Sequence, residues 1–145
     1  MSKPFVYVAS PYTKGDPCVN AHFQCCIFDQ MLDDGIVIPY IPLWAHFQHS
    51  VLPRPYTDWL AYDNCIMPRI DALVRLDARF VWPDGTMYKC SESTGADNEV
   101  KLAESLGKPV FYTIEDLYTW AKEWATVEEP RQDRYWNGAP RHIQS

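Results

Sequence analysis

A five-residue apolar run, Phe5-Val6-Tyr7-Val8-Ala9, opens the chain almost at once and sets the tightest limit on its fold. Such a run, β-rich and closed by Ser10-Pro11, is what a strand buried on both faces looks like. After Gly15-Asp16-Pro17 the period changes: Val19, Phe23, Cys26, Ile27 and Met31 recur at helical spacing. Asp33-Asp34-Gly35 ends that helix, with Gly in the usual C-terminal place. Ile36-Val37-Ile38 then reads as a second strand that stops at Pro39. Strand, helix, strand in this order implies a parallel pair joined by a right-handed crossover.

The alternation continues. Residues 40–56 are rich in proline and aromatic residues, contain His46 and His49, and read as a long functional loop. A helix is expected from about Tyr56 to Arg69, with Thr57 or Asp58 near its start, and Ala72-Leu73-Val74-Arg75-Leu76 as the third strand. In Asp77–Ser91 the turn signal Pro83-Asp84-Gly85-Thr86 suggests a hairpin or an extended flap. A helix over 95–106 ends at Gly107, Pro109 to Tyr112 forms the fourth strand, and Thr113 to Trp124 forms a final helix. The expected fold is α/β, a doubly wound parallel sheet of Rossmann-like or flavodoxin-like type. It spans residues 1–127 and is followed by a polar tail over 128–145. Ligands in such sheets sit beyond the carboxyl ends of the strands. Those ends deliver Ser10 to Tyr12, the 39–49 connection, the segment after Leu76, and Ser93 to Glu99.

Composition narrows the partners. A net charge of -6 without a Lys/Arg run argues against a nucleic-acid polymer, which needs clustered cations. No run approaches the roughly 18 apolar residues of a bilayer span, and the chain enters a strand without the regions of a signal peptide. Five cysteines (Cys18, Cys25, Cys26, Cys65 and Cys90), odd in number and without paired C-x-x-C spacing, read as reduced thiols of a cytoplasmic protein. The adjacency of Cys25 and Cys26 suggests a buried helix face. A metabolite is the expected partner.

Ser93-Thr94-Gly95-Ala96-Asp97-Asn98-Glu99 reads S-x-G-x-x-x-E across the start of a helix. Open N–H groups and the helix dipole attract anions there, and Glu99 projects from the same end. The plainer reading is a capping device, with Ser or Thr at the N-cap and acidic residues in the first turns. Glu99 is either a nucleophile or a capping and surface residue. Asp63, in Tyr62-Asp63-Asn64, stands inside a helix where Asp is a poor former, so either something compensates it or it is solvated. Asp71 lies at the other end of the third strand, which favours a structural role. Two carboxylates near one glycosidic carbon permit a defined mechanism: one attacks or stabilises the oxocarbenium-like centre while the other, protonated, assists the leaving group. His46-x-x-His49 lacks a further ligand at familiar spacing, so no metal site is expected. Tyr7 points either to the core or to the substrate.

These residues together resemble the nucleoside 2-deoxyribosyltransferase-like family, which includes deoxynucleoside 5'-monophosphate N-glycosidases and small bacterial and phage relatives. The resemblance rests on Val6-Tyr7-Val8-Ala9-Ser10-Pro11-Tyr12, on Gly35-Ile36-Val37-Ile38-Pro39 with His46 beyond it, and on Tyr62-Asp63 ahead of Asp71-Ala72-Leu73-Val74. Ser93-x-Gly95-x-x-x-Glu99, followed by Ala103 and Gly107-Lys108-Pro109-Val110, completes it over roughly residues 5–112.

The resemblance implies a flavodoxin-like fold. It implies that Glu99 attacks C1' of a deoxyribose to form a glycosyl-enzyme intermediate, and that Asp63 performs acid/base work at the nucleobase. Ser93 with Gly95 would cradle the 5' end, with Tyr7 by the sugar and Ser10 and His46 as further substrate contacts. Water as acceptor gives hydrolysis; a second nucleobase gives base exchange. No cofactor or metal is implied, and family members tend toward dimers and larger oligomers. This chain departs from the pattern in its longer segment between the third strand and the Ser-Gly-Glu motif. It also carries Pro11 where the monophosphate hydrolases present a second phosphate-binding Ser. The rival expectation is a nucleotide-binding or sensing module without catalysis, since fold alone does not fix function. A structural partner protein is the third, given Trp120, Trp124, Tyr135 and Trp136.

Overall fold

A computed structural model describes residues 3–10, 17–76 and 93–127 of the chain. Four strands, β1 (Phe5–Ala9), β2 (Ile38–Tyr40), β3 (Ala72–Arg75) and β4 (Val110–Phe111), form one parallel sheet in the order β2-β1-β3-β4. Five helices flank it: α1 (Pro17–Asp34), α2 (Leu43–Val51), α3 (Tyr56–Ile66), α4 (Thr94–Ser105) and α5 (Ile114–Val127), with a 3₁₀ turn Met67–Arg69 after α3. This is the flavodoxin-like strand order of a doubly wound α/β domain. The chain leaves β1 toward one edge and returns to build on its other side, so a switch point falls between β1 and β3.

The alternation of β1 sorts the core into two layers. Val6 and Val8 pack with Ile27, Met31, Leu117 and Ala121 on the side of α1 and α5. Tyr7 and Ala9 pack with Met67, Ala96 and Ala103 on the side of α3 and α4. All five apolar residues of β1 contribute to one layer or the other, which is why the run shows no polar alternation. The register sets Tyr7 opposite Leu73 and Ala9 opposite Arg75. At the opposite end of the sheet Asp71 accepts the Phe5 backbone N–H at 2.8 Å, the structural role its position suggested.

Local chemistry fixes the helix ends. Gly35, at φ 64, ends α1, and Gly107, at φ 70, follows α4 in the left-handed conformation that a Cβ disfavours. Thr113 Oγ1 accepts the Asp116 N–H at 3.2 Å at the start of α5. Tyr118 of α5 donates its hydroxyl to Asp34 of α1 at 2.6 Å and ties the two helices of that layer together.

The structure corrects the sequence reading at several places. The second strand lies two residues later than expected and includes Pro39, opposite Val6. β2 is an edge strand, where a missing N–H costs no ladder bond. The segment 40–56 is no loop, because α2 occupies its centre. Pro42 stands at the N-cap of α2, and Pro53 and Pro55 come after its end, so the prolines bound a helix that contains none. The expected α1 stripe is also revised: Val19 is 45% exposed, Cys25 is exposed and Cys26 is only partly covered. Ile27 and Met31 are buried as expected, and Asn20 and Gln24 complete the buried face in place of Val19 and Cys26. The expected hairpin or flap at 77–91 and the polar tail at 128–145 lie outside the described residues, as do Pro11, Tyr12, Cys90, Tyr135 and Trp136. Among the described residues no helix is long and apolar enough to cross a membrane.

Candidate active site

Tyr7, in the middle of β1, is fully buried, and its hydroxyl leaves the core to donate to Glu99 Oε1 at 2.8 Å. Glu99 reaches this bond from the second turn of α4, whose N-terminus is set by Ser93. The Ser93 Oγ accepts the Ala96 N–H at 3.1 Å, so the capping reading of Ser93 holds. The cap and the approach to Tyr7 are one device: the residue that starts the helix also fixes where Glu99 points. Tyr7 therefore belongs both to the core and to the site, and its two expected roles are not exclusive.

Asp63 comes from α3 and lines the same cavity as Glu99. Burial raises the Asp63 carboxyl to about 6. Burial also raises Glu99, to about 8; the Asp63 charge adds to this, while the Tyr7 hydrogen bond and the Arg75 cation act the other way. Two carboxyl groups lifted in this manner hold one proton between them over the interval from about 6 to about 8. Glu99, with the higher value, is the more readily protonated of the two. Burial and both carboxylates push Tyr7 far above its ordinary range, so it remains a neutral donor.

Arg75 sits at the carboxyl end of β3, 3% exposed, and holds Asp97 Oδ1 through Nε at 3.4 Å and Nη2 at 3.2 Å. It also donates to the Leu76 carbonyl. A guanidinium under the first turn of α4 adds to the positive end of that helix.

The cavity has a volume of about 590 Å³ and two unlike sides. Ser10, Ser93, Gly95, Asn98 and Glu99 form the side that follows β1 and opens α4. The Ser10 hydroxyl is buried without a hydrogen-bond partner among the described residues, at 8% residue exposure. A Cβ built on Gly95 would meet only Ser93 Oγ at 3.9 Å, so neither packing nor backbone angle demands glycine there. Its lack of a side chain keeps the cavity open beside the helix N-terminus.

Helices α2 and α3 supply the opposite side: Ala45, His46 and His49 from the first, and Tyr56, Trp59, Leu60 and Asp63 from the second. Burial, with the neighbouring His49, lowers His46 to about 4, which makes it a neutral ring at neutral pH. Beneath, the Tyr40 ring lies tilted at 41° to Tyr7 with centroids 5.4 Å apart, and burial, with Tyr62 close by, raises its hydroxyl above the ordinary range.

All seven residues expected from the sequence are thus assembled here: six line the cavity, and Tyr7 lies behind Glu99. Sequence reasoning missed His49, Trp59, Asn98, Tyr40 and Arg75 as members. Part of the signal was present. Tyr56, Trp59, Asp63 and Met67 recur at helical spacing, as do Pro42, Ala45, His46 and His49, and each set marks one helix face turned to the cavity. Among the described residues no group of three or more His, Cys, Asp or Glu could hold a metal ion. In comparison with known proteins, no family model and no curated protein matches this chain.

Proposed function

We propose that this protein cleaves the N-glycosidic bond of a nucleoside or nucleoside 5'-monophosphate, with a 2'-deoxy sugar preferred. The resemblance of its motifs to the nucleoside 2-deoxyribosyltransferase-like enzymes supports this reading. The observation that carries the reading is the pairing of Glu99, held by Tyr7, with Asp63 across one cavity at the carboxyl edge of the sheet. The site's two sides support it as well. A buried Ser10 hydroxyl without a partner among the described residues and an open helix N-terminus suit a sugar and its 5' substituent, while Trp59, Tyr56 and two imidazoles suit a flat heterocycle.

The chemistry follows from the shared proton. In the reactive state the proton sits on Asp63 and Glu99 is ionised. The Tyr7 hydroxyl and the Arg75 cation favour the Glu99 anion, and positive charge developing at C1' favours it further. Glu99 bonds to C1' as the C1'–N bond breaks, and Asp63 passes its proton to the departing base. Water then attacks C1' with the Asp63 carboxylate accepting its proton, and Glu99 is released. A second base in place of water gives exchange.

A second reading has an observation of its own. Burial raises Glu99 to about 8, and a protonated Glu99 is a hydrogen-bond donor, which suits a module that binds nucleotide without turning it over. Free-base release from a panel of deoxynucleosides, ribonucleosides and their monophosphates, with and without an acceptor base, separates the two. Release by the wild type that vanishes in Glu99→Ala is expected. A stable complex from which intact nucleotide is recovered after long incubation would favour the binding module.

A further inference from the structure

The sequence weighed His49 only as a loop residue and a metal ligand without partners, yet on α2 its ring is held by two donors. The indole N–H of Trp59 donates to His49 Nδ1 at 3.0 Å, and the backbone N–H of Arg54 donates to the same atom at 3.1 Å. Both groups can only donate. Nδ1 must therefore carry no proton, and the neutral ring carries its hydrogen on Nε2. The two rings meet edge to face, with centroids 6.1 Å apart at 72°, and Trp59 meets Tyr62 in the same manner at 6.4 Å and 88°. His49 and Trp59 both line the cavity. Among the described residues Nε2 makes no hydrogen bond, so Nε2–H is the polar group that this ring has left to offer.

We infer that His49 is a specificity residue: held as the Nε2–H tautomer by Trp59 and Arg54, it donates one hydrogen bond to an acceptor atom of the substrate's heterocycle. This rests on the glycosidic reading of the site and adds the base's chemistry to it. The base lies against Trp59 and presents a carbonyl oxygen or an unprotonated ring nitrogen toward α2. A base with only a donor at that edge leaves Nε2–H facing another N–H, and the site rejects it.

Two substitutions separate the clamp from the contact. His49→Asn sets an amide oxygen near the place of Nδ1, so Trp59 and Arg54 keep an acceptor while the donor to the base is lost. His49→Gln extends an amide toward the place of Nε2 and gives up the clamp. The experiment measures base release and calorimetric binding for the deoxynucleoside monophosphates, together with analogues of the best ligand that each lack one ring nitrogen or oxo group. His49→Asn is expected to keep the wild-type thermal midpoint and to lose about tenfold in affinity, seen in KM more than kcat. One analogue is expected to suffer the same loss in the wild type and no further loss in the variant. His49→Gln is expected to lower the thermal midpoint.

Equal behaviour of His49→Asn and wild type on every ligand would overturn the inference, as would a loss that is the same for every analogue. Uniform binding of the analogue series by the wild type overturns it without recourse to any variant. Binding that shows the analogue pattern without base release upholds the His49 contact and removes the glycosidic reading. A wild type that neither binds nor cleaves any member overturns both.

Discussion

Glu99 works through what surrounds it, and the Tyr7 hydroxyl is the contact most open to test. Removing it by Tyr7→Phe keeps the ring in the core and takes from Glu99 the one neutral donor that favours its anion. The activity of the one-proton pair is expected to follow a bell, with limbs near 6 and near 8 in kcat/KM. In Tyr7→Phe the upper limb should move to higher pH and the maximum should fall about tenfold or more. An unmoved upper limb would mean that Glu99 does not set it. Asp63→Asn makes the opposite displacement, because loss of the neighbouring charge eases ionisation of Glu99. Its base release should nonetheless drop, most for substrates with poor leaving bases. At this scale the sequence exposed much of the site, since the S-x-G-x-x-x-E pattern and a mid-helix Asp singled out Glu99 and Asp63, which line one cavity. It did not expose Arg75 or Tyr40, which act through charge and ring contact on residues distant in the chain. No spacing records such pairs.

At the scale of elements, α4 shows how a cap and a binding site occupy the same residues. Ser93 spends one lone pair on the Ala96 N–H, and Gly95, one residue before it, leaves the cavity unobstructed. Gly95→Ala should therefore be neutral or stabilising by up to about 1 kcal/mol in chemical denaturation, from helix propensity alone. The same change should weaken ligand binding, because the added methyl enters the cavity. Loss of stability would show that glycine serves the fold; unchanged binding would show that no ligand approaches the α4 N-terminus. Ser93→Ala should cost about 1 kcal/mol through the cap and reduce activity beyond that, by loosening the turn that aims Glu99. Helix α2 was illegible for a definite reason. Four prolines in 39–55 look like loop composition, yet Pro39 lies on a sheet edge and the other three bound the helix. Once Leu43–Val51 is a helix, His46 and His49 share a face, and the absence of a third metal ligand ceases to matter.

The whole molecule carries the cost of burying two carboxyl groups beside an imidazole. The alternation of strands and helices disclosed the sheet, its parallel sense and the edge where the site lies. The proton balance of the folded state depends on packing that only the assembled layers create. Glu99 rises from 4.5 to about 8 and Asp63 from 3.8 to about 6, so the native state keeps protons that the unfolded chain releases as pH climbs through these intervals. Their contribution to stability accordingly declines with rising pH. His46 is lowered from 6.5 to about 4, so in that interval the unfolded chain holds the extra proton and stability gains as pH rises. The terms oppose each other below 6.5, and between 6.5 and about 8 the Glu99 term stands alone of the three. The thermal midpoint of the wild type should fall across that window, equivalent to about 2 kcal/mol. Glu99→Gln keeps an acceptor for the Tyr7 hydroxyl and has nothing to ionise. Its midpoint should stay level over the same window and exceed the wild type's at its alkaline end, while base release is lost. A parallel decline in both proteins would place the titrating group elsewhere. A level wild type would mean that Glu99 ionises in the folded chain as readily as in the unfolded one, and that the site does not hold the proton its chemistry needs.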